Sequence, residues 1–177
     1  EEARALVVAI SQTRKLPAET VSLLIASGRI LASDAVAPRD VPSFANSAMD
    51  GFALRAVDLP RTGEKRFHLV GEVFAGGHAA PKIEAGACVR ITTGAPLPED
   101  ADTVVMKENT RIENHYVIVA AGTMPGANLR PAGADYRSGE VALKRGCRLG
   151  PAQLGVLASF GMTDVSVRRH PRTVLVT

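Results

Sequence analysis

The chain has 177 residues, 46% of them hydrophobic, and a formal net charge of +3, enough apolar material for a packed core in one domain or two small ones. Its basic residues are scattered apart from Arg168-Arg169-His170 and Arg172, with no aromatics between them, which argues against nucleic-acid binding. No apolar run reaches the roughly 18 to 20 residues that cross a bilayer, the Glu1-Glu2 start does not suit a signal peptide, and Cys88 and Cys147 fit no metal or disulfide spacing, so a soluble protein of the reducing cytoplasm without membrane or nucleic-acid partners is expected.

Aromatic residues are scarce at 4%, whereas Gly (16) and Pro (11) are frequent, which predicts short elements and many turns around an aliphatic core. Ala3, Leu6, Val7 and Ile10 fall at helical spacing, and Val21, Leu24 and Ile25 predict a second helix stopped by Gly28. Ile30, Leu31, Ala35 and Val36 then read as extended. Strands are predicted over 52–57, 67–74, 88–92, 103–107, 110–113 and 116–119, the last two as a hairpin turning near Asn114. They are too closely spaced for helical crossovers, which points to an all-β module. A strand over 141–143 precedes a third helix opened by Pro151, striped by Leu154, Leu157 and Ala158, and stopped by Gly161. The expectation is an α+β chain with a discontinuous helical and extended base at 1–43 and 141–170 and a β-rich domain inserted at 44–140. The absence of an initiating Met and the apolar run ending at Thr177, which reads as a strand cut off in mid-course, suggest a fragment of a longer protein.

Three polar turns carry the candidate chemistry. In the loop from Pro42 to Ala53, Pro42 stiffens the approach and Gly51 permits a conformation closed to other residues. Phe44, Met49 and Phe52 are expected to be buried, leaving Asn46, Ser47 and Asp50 to present polar atoms; alternatively, Asn46 and Asp50 only satisfy local backbone N–H groups. In the second turn, Arg90-Ile91-Thr92-Thr93-Gly94-Ala95-Pro96-Leu97-Pro98, hydroxyls and N–H groups suit an oxyanion or a hydrated cation. An ordinary turn closing a strand explains it equally well, and it lacks the lysine and glycine spacing of a Walker loop. In the third, Pro125-Gly126-Ala127-Asn128-Leu129-Arg130 with Asp135 beyond, Arg130 suits a phosphate and Asp135 a metal or a water; a salt bridge accounts for the pair just as well. Asp100, Asp102, Lys107 and Glu108 read as a solvated strand end. His68, His78, His115 and His170 are isolated, so neither a metal trio nor a Ser/His/Asp triad is indicated.

Taken in order, Arg29-Ile30-Leu31-Ala32-Ser33-Asp34, Asn46-Ser47-Ala48-Met49-Asp50-Gly51, Arg90 to Pro96, Pro125 to Arg130, and Leu154 to Gly161 resemble the molybdopterin molybdenumtransferase family, that is, the bacterial MoeA proteins and the related E domain of gephyrin. The resemblance implies an enzyme that takes adenylylated molybdopterin and molybdate, hydrolyses the adenylate with a divalent cation such as Mg²⁺, and releases molybdenum cofactor. It further implies a cytoplasmic, elongated homodimer with a molybdopterin adenylyltransferase as pathway partner. A later α/β domain, whose first strand would start within 171–177, holds most of the pterin pocket. The active cleft lies between that domain of one subunit and the β-rich domain of the other. Mapped by motif, this part contributes Asp50, Thr93 and Asp135 as catalytic residues and Asn46, Ser47 and Arg130 as binding residues, with the metal ligands unassigned. The family commonly has acidic residues where Ala45 and Ala134 stand. The fragment alone is expected to be an incomplete catalyst; the alternatives are a dimerisation or scaffold module of the same fold and a β-rich binder of small anions.

Overall fold

In the computed structural model, which describes residues 1–13, 16–77, 81–172 and 174, the elements run α1 (Glu2–Thr13), β1 (Ala18–Ser22), β2 (Ala35–Val36), β3 (Asn46–Ser47), β4 (Gly51–Leu54), β5 (Glu64–Val73), β6 (Ala87–Ile91), β7 (Thr103–Met106), β8 (Thr110–Glu113), β9 (Tyr116–Ala120), β10 (Leu129–Arg130), β11 (Val141–Leu143), α2 (Pro151–Ser159) and β12 (Asp164–Arg168). The fold is mostly β, with two α-helices among the described residues where three helices were expected. Contacts divide the chain into two units, residues 1–39 with 138–177, and residues 40–137.

In the first unit, α2 forms as its sequence dictates. Pro151 occupies the first turn, where a missing N–H costs nothing, the Gln153 side chain accepts from the Gly150 N–H at 3.1 Å, and Gly161 takes the left-handed conformation (φ 77°) that ends the helix. Leu157 points from it into a core with Ala26, Leu31, Leu149, Val165 and Val167. The second predicted helix is replaced by strand β1 and a single 3₁₀ turn, Leu23–Ile25. β1 pairs antiparallel with β12, Val21 facing Val165, so tertiary pairing of β-branched residues overrides a short helical pattern. Leu24 and Ile25, read as the helix's apolar face, are 94% and 69% exposed. β12 itself had no counterpart in the sequence reading, although Val165 and Val167 alternate with Asp164, Ser166 and Arg168 in a half-buried strand pattern. β2 and β11 pair antiparallel nearby. The strand expected to end at Thr177 falls on residues of which only Val174 is described.

The second unit is built on a six-stranded sheet in the order β7-β4-β6-β5-β9-β8. β4 lies inside the sheet and is buried along its whole length, and alternation sends Ala53 into one apolar cluster and Phe52 with Leu54 into another. The predicted strands form close to their expected bounds, and the β8–β9 hairpin turns at Asn114, whose φ is 56°. The sheet is mixed: β5 and β6 run parallel, joined through residues 74–86, about the dozen residues such a return requires. Thr110 and Ile112 of β8 line the same cleft as Gly51 and Phe52 of β4, although β6, β5 and β9 separate them in the sheet order. The sheet is therefore curled, and the cleft opens where it turns back on itself.

Candidate functional site

The register of three strands places Asp50. Gly51, the first residue of β4, faces Ile91 of β6 on one side and Met106 of β7 on the other, so one step back along β4 sets Asp50 between Thr92 and Lys107. The Lys107 N–H donates to the Asp50 carbonyl at 3.1 Å, which holds this alignment beyond the strand end. The Asp50 carboxylate is gripped on both oxygens. Oδ1 accepts from the Thr93 N–H at 2.9 Å and from the Thr93 hydroxyl at 3.0 Å, and Oδ2 faces Lys107 Nζ at 3.4 Å. The Thr93 N–H, then its hydroxyl, then the Lys107 ammonium hold this carboxyl below the usual carboxylate range. Asp50 is thus ionised at neutral pH, with 48% of its side chain exposed.

Gly51 serves this geometry in a way the sequence did not disclose. Its φ is not left-handed; an added Cβ would instead lie 2.0 Å from the Val105 carbonyl oxygen. Glycine lets β4 and β7 approach, and it is Gly94, with φ 80°, that supplies the left-handed turn after Thr93.

The three polar turns, far apart in sequence, are woven together by backbone hydrogen bonds. Gly94 N donates to Ser47 O at 2.8 Å, Ser47 N to Ala95 O at 3.0 Å, and Ala48 N to Asn128 O at 2.9 Å. β3 and β10 pair so that Ser47 faces Leu129 and Asn46 faces Arg130. Asn46 and Ser47 are consequently buried and do not present polar atoms at the surface as the sequence suggested. Ser47 Oγ donates to Met49 O at 2.5 Å and accepts from Met49 N at 3.3 Å, locking its own turn. Of the three expected apolar anchors, Phe52 is buried within the sheet, whereas Phe44 and Met49 stand exposed because the loop carrying them lies outside the strands.

At the third turn, the Arg130 guanidinium donates to the Asp135 carboxylate, the ion pair that the sequence allowed as the plain explanation. Asp135 is fixed to the start of the first loop, its N–H donating to Val41 O at 2.8 Å. Asp50 and Thr93 are therefore brought into direct contact, while Asp135 joins them through backbone framework and is bonded to Arg130.

Asp50 borders a cleft of about 420 Å³ lined also by Phe52, Arg90, Thr92, Lys107 and Thr110. Arg90 is paired with Glu72 at 3.1 Å. The arrangement offers an ionised carboxylate, hydroxyls and two cationic side chains beside apolar walls, a set suited to orienting a polar, anionic substrate. Lys107 is the residue that sequence reasoning passed over. Its position at the end of a predicted strand was legible, but its partner depends on the register of strands remote in sequence. Its supposed companion Asp102 instead accepts from the Ala56 N–H at 2.5 Å.

Mg²⁺ needs near-octahedral oxygens at about 2.0–2.1 Å, commonly from one or two carboxylates, water and phosphate. Asp50 is the carboxylate among the cleft's lining residues, and both its oxygens are already engaged, one by the N–H and hydroxyl of Thr93 and the other by the Lys107 ammonium. These residues do not by themselves fit a Mg²⁺ site. No helix among the described residues is long and apolar enough to cross a membrane.

The fold recurs in a solved structure and the sequence in a known family. Residues 1–161 match the model of the MoeA N-terminal region (domain I and II), and the chain belongs to this family. A molybdopterin molybdenumtransferase of Haemophilus influenzae is 38% identical over 153 residues, covering 86% of this chain and 37% of that protein. One from Staphylococcus aureus is 34% identical over 171 residues, covering 94% and 41%. A crystal structure of the molybdopterin biosynthesis moeA protein from Pyrococcus horikoshii OT3 superposes with a TM-score of 0.83 at 33% identity, covering 86% of this chain and 41% of that one. The chain thus spans about two-fifths of the length of these relatives, 37% to 41%.

Proposed function

We propose that this chain is the N-terminal part of an enzyme that inserts molybdenum from molybdate into adenylylated molybdopterin, releasing AMP and molybdenum cofactor. The observation that carries the reading is the Asp50 carboxylate gripped by the N–H and hydroxyl of Thr93 at the edge of a cleft; the relatives' shared activity supplies the substrate class. We read the two units as a discontinuous base and an inserted β-rich domain, with a later α/β domain of the partner subunit in a homodimer closing the cleft. A molybdopterin adenylyltransferase would supply the substrate in the cytoplasm.

In this reading Asp50 stays ionised and accepts a hydrogen bond from the substrate or from the water that attacks the adenylate phosphorus; the bridging P–O bond breaks, the water oxygen is retained in AMP, and the molybdopterin phosphate is the leaving group. Thr93 holds that carboxylate in place. Arg130 orients Asp135, while Asn46 and Ser47 bind indirectly, by fixing the loop that carries Asp50. Mg²⁺ enters this scheme only with the substrate's phosphates and the rest of the enzyme, and no step depends on a cation held by this chain.

The test supplies full-length protein with adenylylated molybdopterin and molybdate, then measures AMP release and reconstitution of a cofactor-free molybdoenzyme. Active cofactor from the full-length protein, and none from the 177 residues alone, is the expected result. A full-length protein that makes no cofactor would contradict the reading and leave the scaffold alternative; activity in the 177-residue chain would refute the shared cleft.

A further inference from the structure

We propose that Lys107 is a positioning residue for Asp50, fixing the outer carboxylate oxygen so that the group meets the substrate in one orientation. This rests on Asp50 acting in the cleft of the proposed enzyme. A carboxylate anchored at one oxygen can still pivot, because the terminal torsion of aspartate is broad. Thr93 spends both of its donors on Oδ1, and it is Lys107 Nζ, 3.4 Å from Oδ2, that opposes the pivot.

Lys107 is built in at this point. Its N–H donates to the Asp50 carbonyl at 3.1 Å and its carbonyl accepts from the Thr110 hydroxyl at 2.8 Å, so the backbone is tied on both sides of Cα. Lys107, its side chain 59% exposed, is among the residues that line the cleft. The other cation of the lining, Arg90, is engaged by Glu72. Among the described residues, Asp50 is the carboxylate that pairs with Lys107. An ammonium is a point charge without the fixed fork of a guanidinium, so the requirement is for charge at this reach, and arginine should serve.

The test compares full-length wild type with Lys107→Met, Lys107→Arg, Asp50→Asn and the double variant Asp50→Asn/Lys107→Met, measuring AMP release from adenylylated molybdopterin with molybdate present. Lys107→Met is expected to lower kcat about tenfold with KM changed less than about twofold, Lys107→Arg to recover most of the loss, and the double variant to be no slower than Asp50→Asn. A wild-type kcat in Lys107→Met, a loss confined to KM, or additive losses in the double variant would overturn the proposal. A carboxyl-¹³C titration of Asp50 reads the pairing without activity. Its midpoint should rise in Lys107→Met and stay put in Lys107→Arg, and an unmoved midpoint in Lys107→Met overturns the positioning role even if the enzyme is active. An inactive wild type whose Asp50 titrates as expected would instead overturn the proposed function, and the catalytic consequence assigned to Lys107 with it.

Discussion

Asp50 and Gly51 are adjacent, and the second makes the first usable. With a hydrogen in place of a side chain, β4 comes close enough to β7 for Lys107 to meet Asp50. A methyl carbon at Gly51 would sit 2.0 Å from a backbone oxygen that cannot swing aside. Gly51→Ala is therefore expected to cost about 3 kcal/mol through overpacking, read as a lowered urea midpoint, and an unchanged midpoint would show that the two strands separate without penalty. At this scale the sequence displayed the polar residues but not their neighbours. Asp50 and Thr93 were legible as candidates because short polar residues beside glycines mark constrained turns. Lys107 was not, since its partner is 57 positions away and only the pairing of β4 with β7 connects them.

The elements were most legible where a single period persisted between clear stops. α2 has a proline at its start, a glycine after its end and leucines between, and it forms as read. Within it Gly155 is exposed and has a right-handed backbone, and a methyl group added there would meet nothing within 4 Å. Gly155→Ala should therefore stabilise the protein by about 0.5–1 kcal/mol, the ordinary helical difference between the two residues; a lower thermal midpoint would reveal a backbone demand not apparent at this position. The segment from Ala18 to Ile25 failed the same style of reading because Val21, Leu24 and Ile25 fit a helix locally while β12, 142 residues on from β1 at the paired Ser22 and Asp164, offered a better partner. The parallel β5–β6 pair escaped for a related reason: strand spacing limits which crossovers are possible but does not fix strand order.

Among the described residues, Glu19 is held below the usual carboxylate range by Arg29, Asp50 chiefly by Thr93, and Glu64 by Arg111. Each binds its proton more weakly in the folded state than in the unfolded chain. Their stabilising contribution is therefore complete above the ordinary carboxylate range, near pH ~4, and is lost as the pH falls through the lower folded values. The thermal midpoint should hold at neutral pH and drop in acid, with a shallower drop in Glu64→Gln; equal acid sensitivity in that variant would show that Glu64 has no part in the acid response. Asn46–Gly51, Thr93–Pro96 and Asn128–Arg130 are separate stretches of sequence that the fold joins by backbone bonds, and Asp50 is the charged side chain that this joining delivers to the cleft. Asp50→Asn in the full-length enzyme tests that claim most directly, with AMP release and cofactor formation measured beside the thermal midpoint. The expected result is a loss of at least about tenfold in rate with the midpoint at neutral pH nearly unchanged; a variant that makes cofactor at the wild-type rate would contradict the claim and reduce Asp50 to a structural part of the turn.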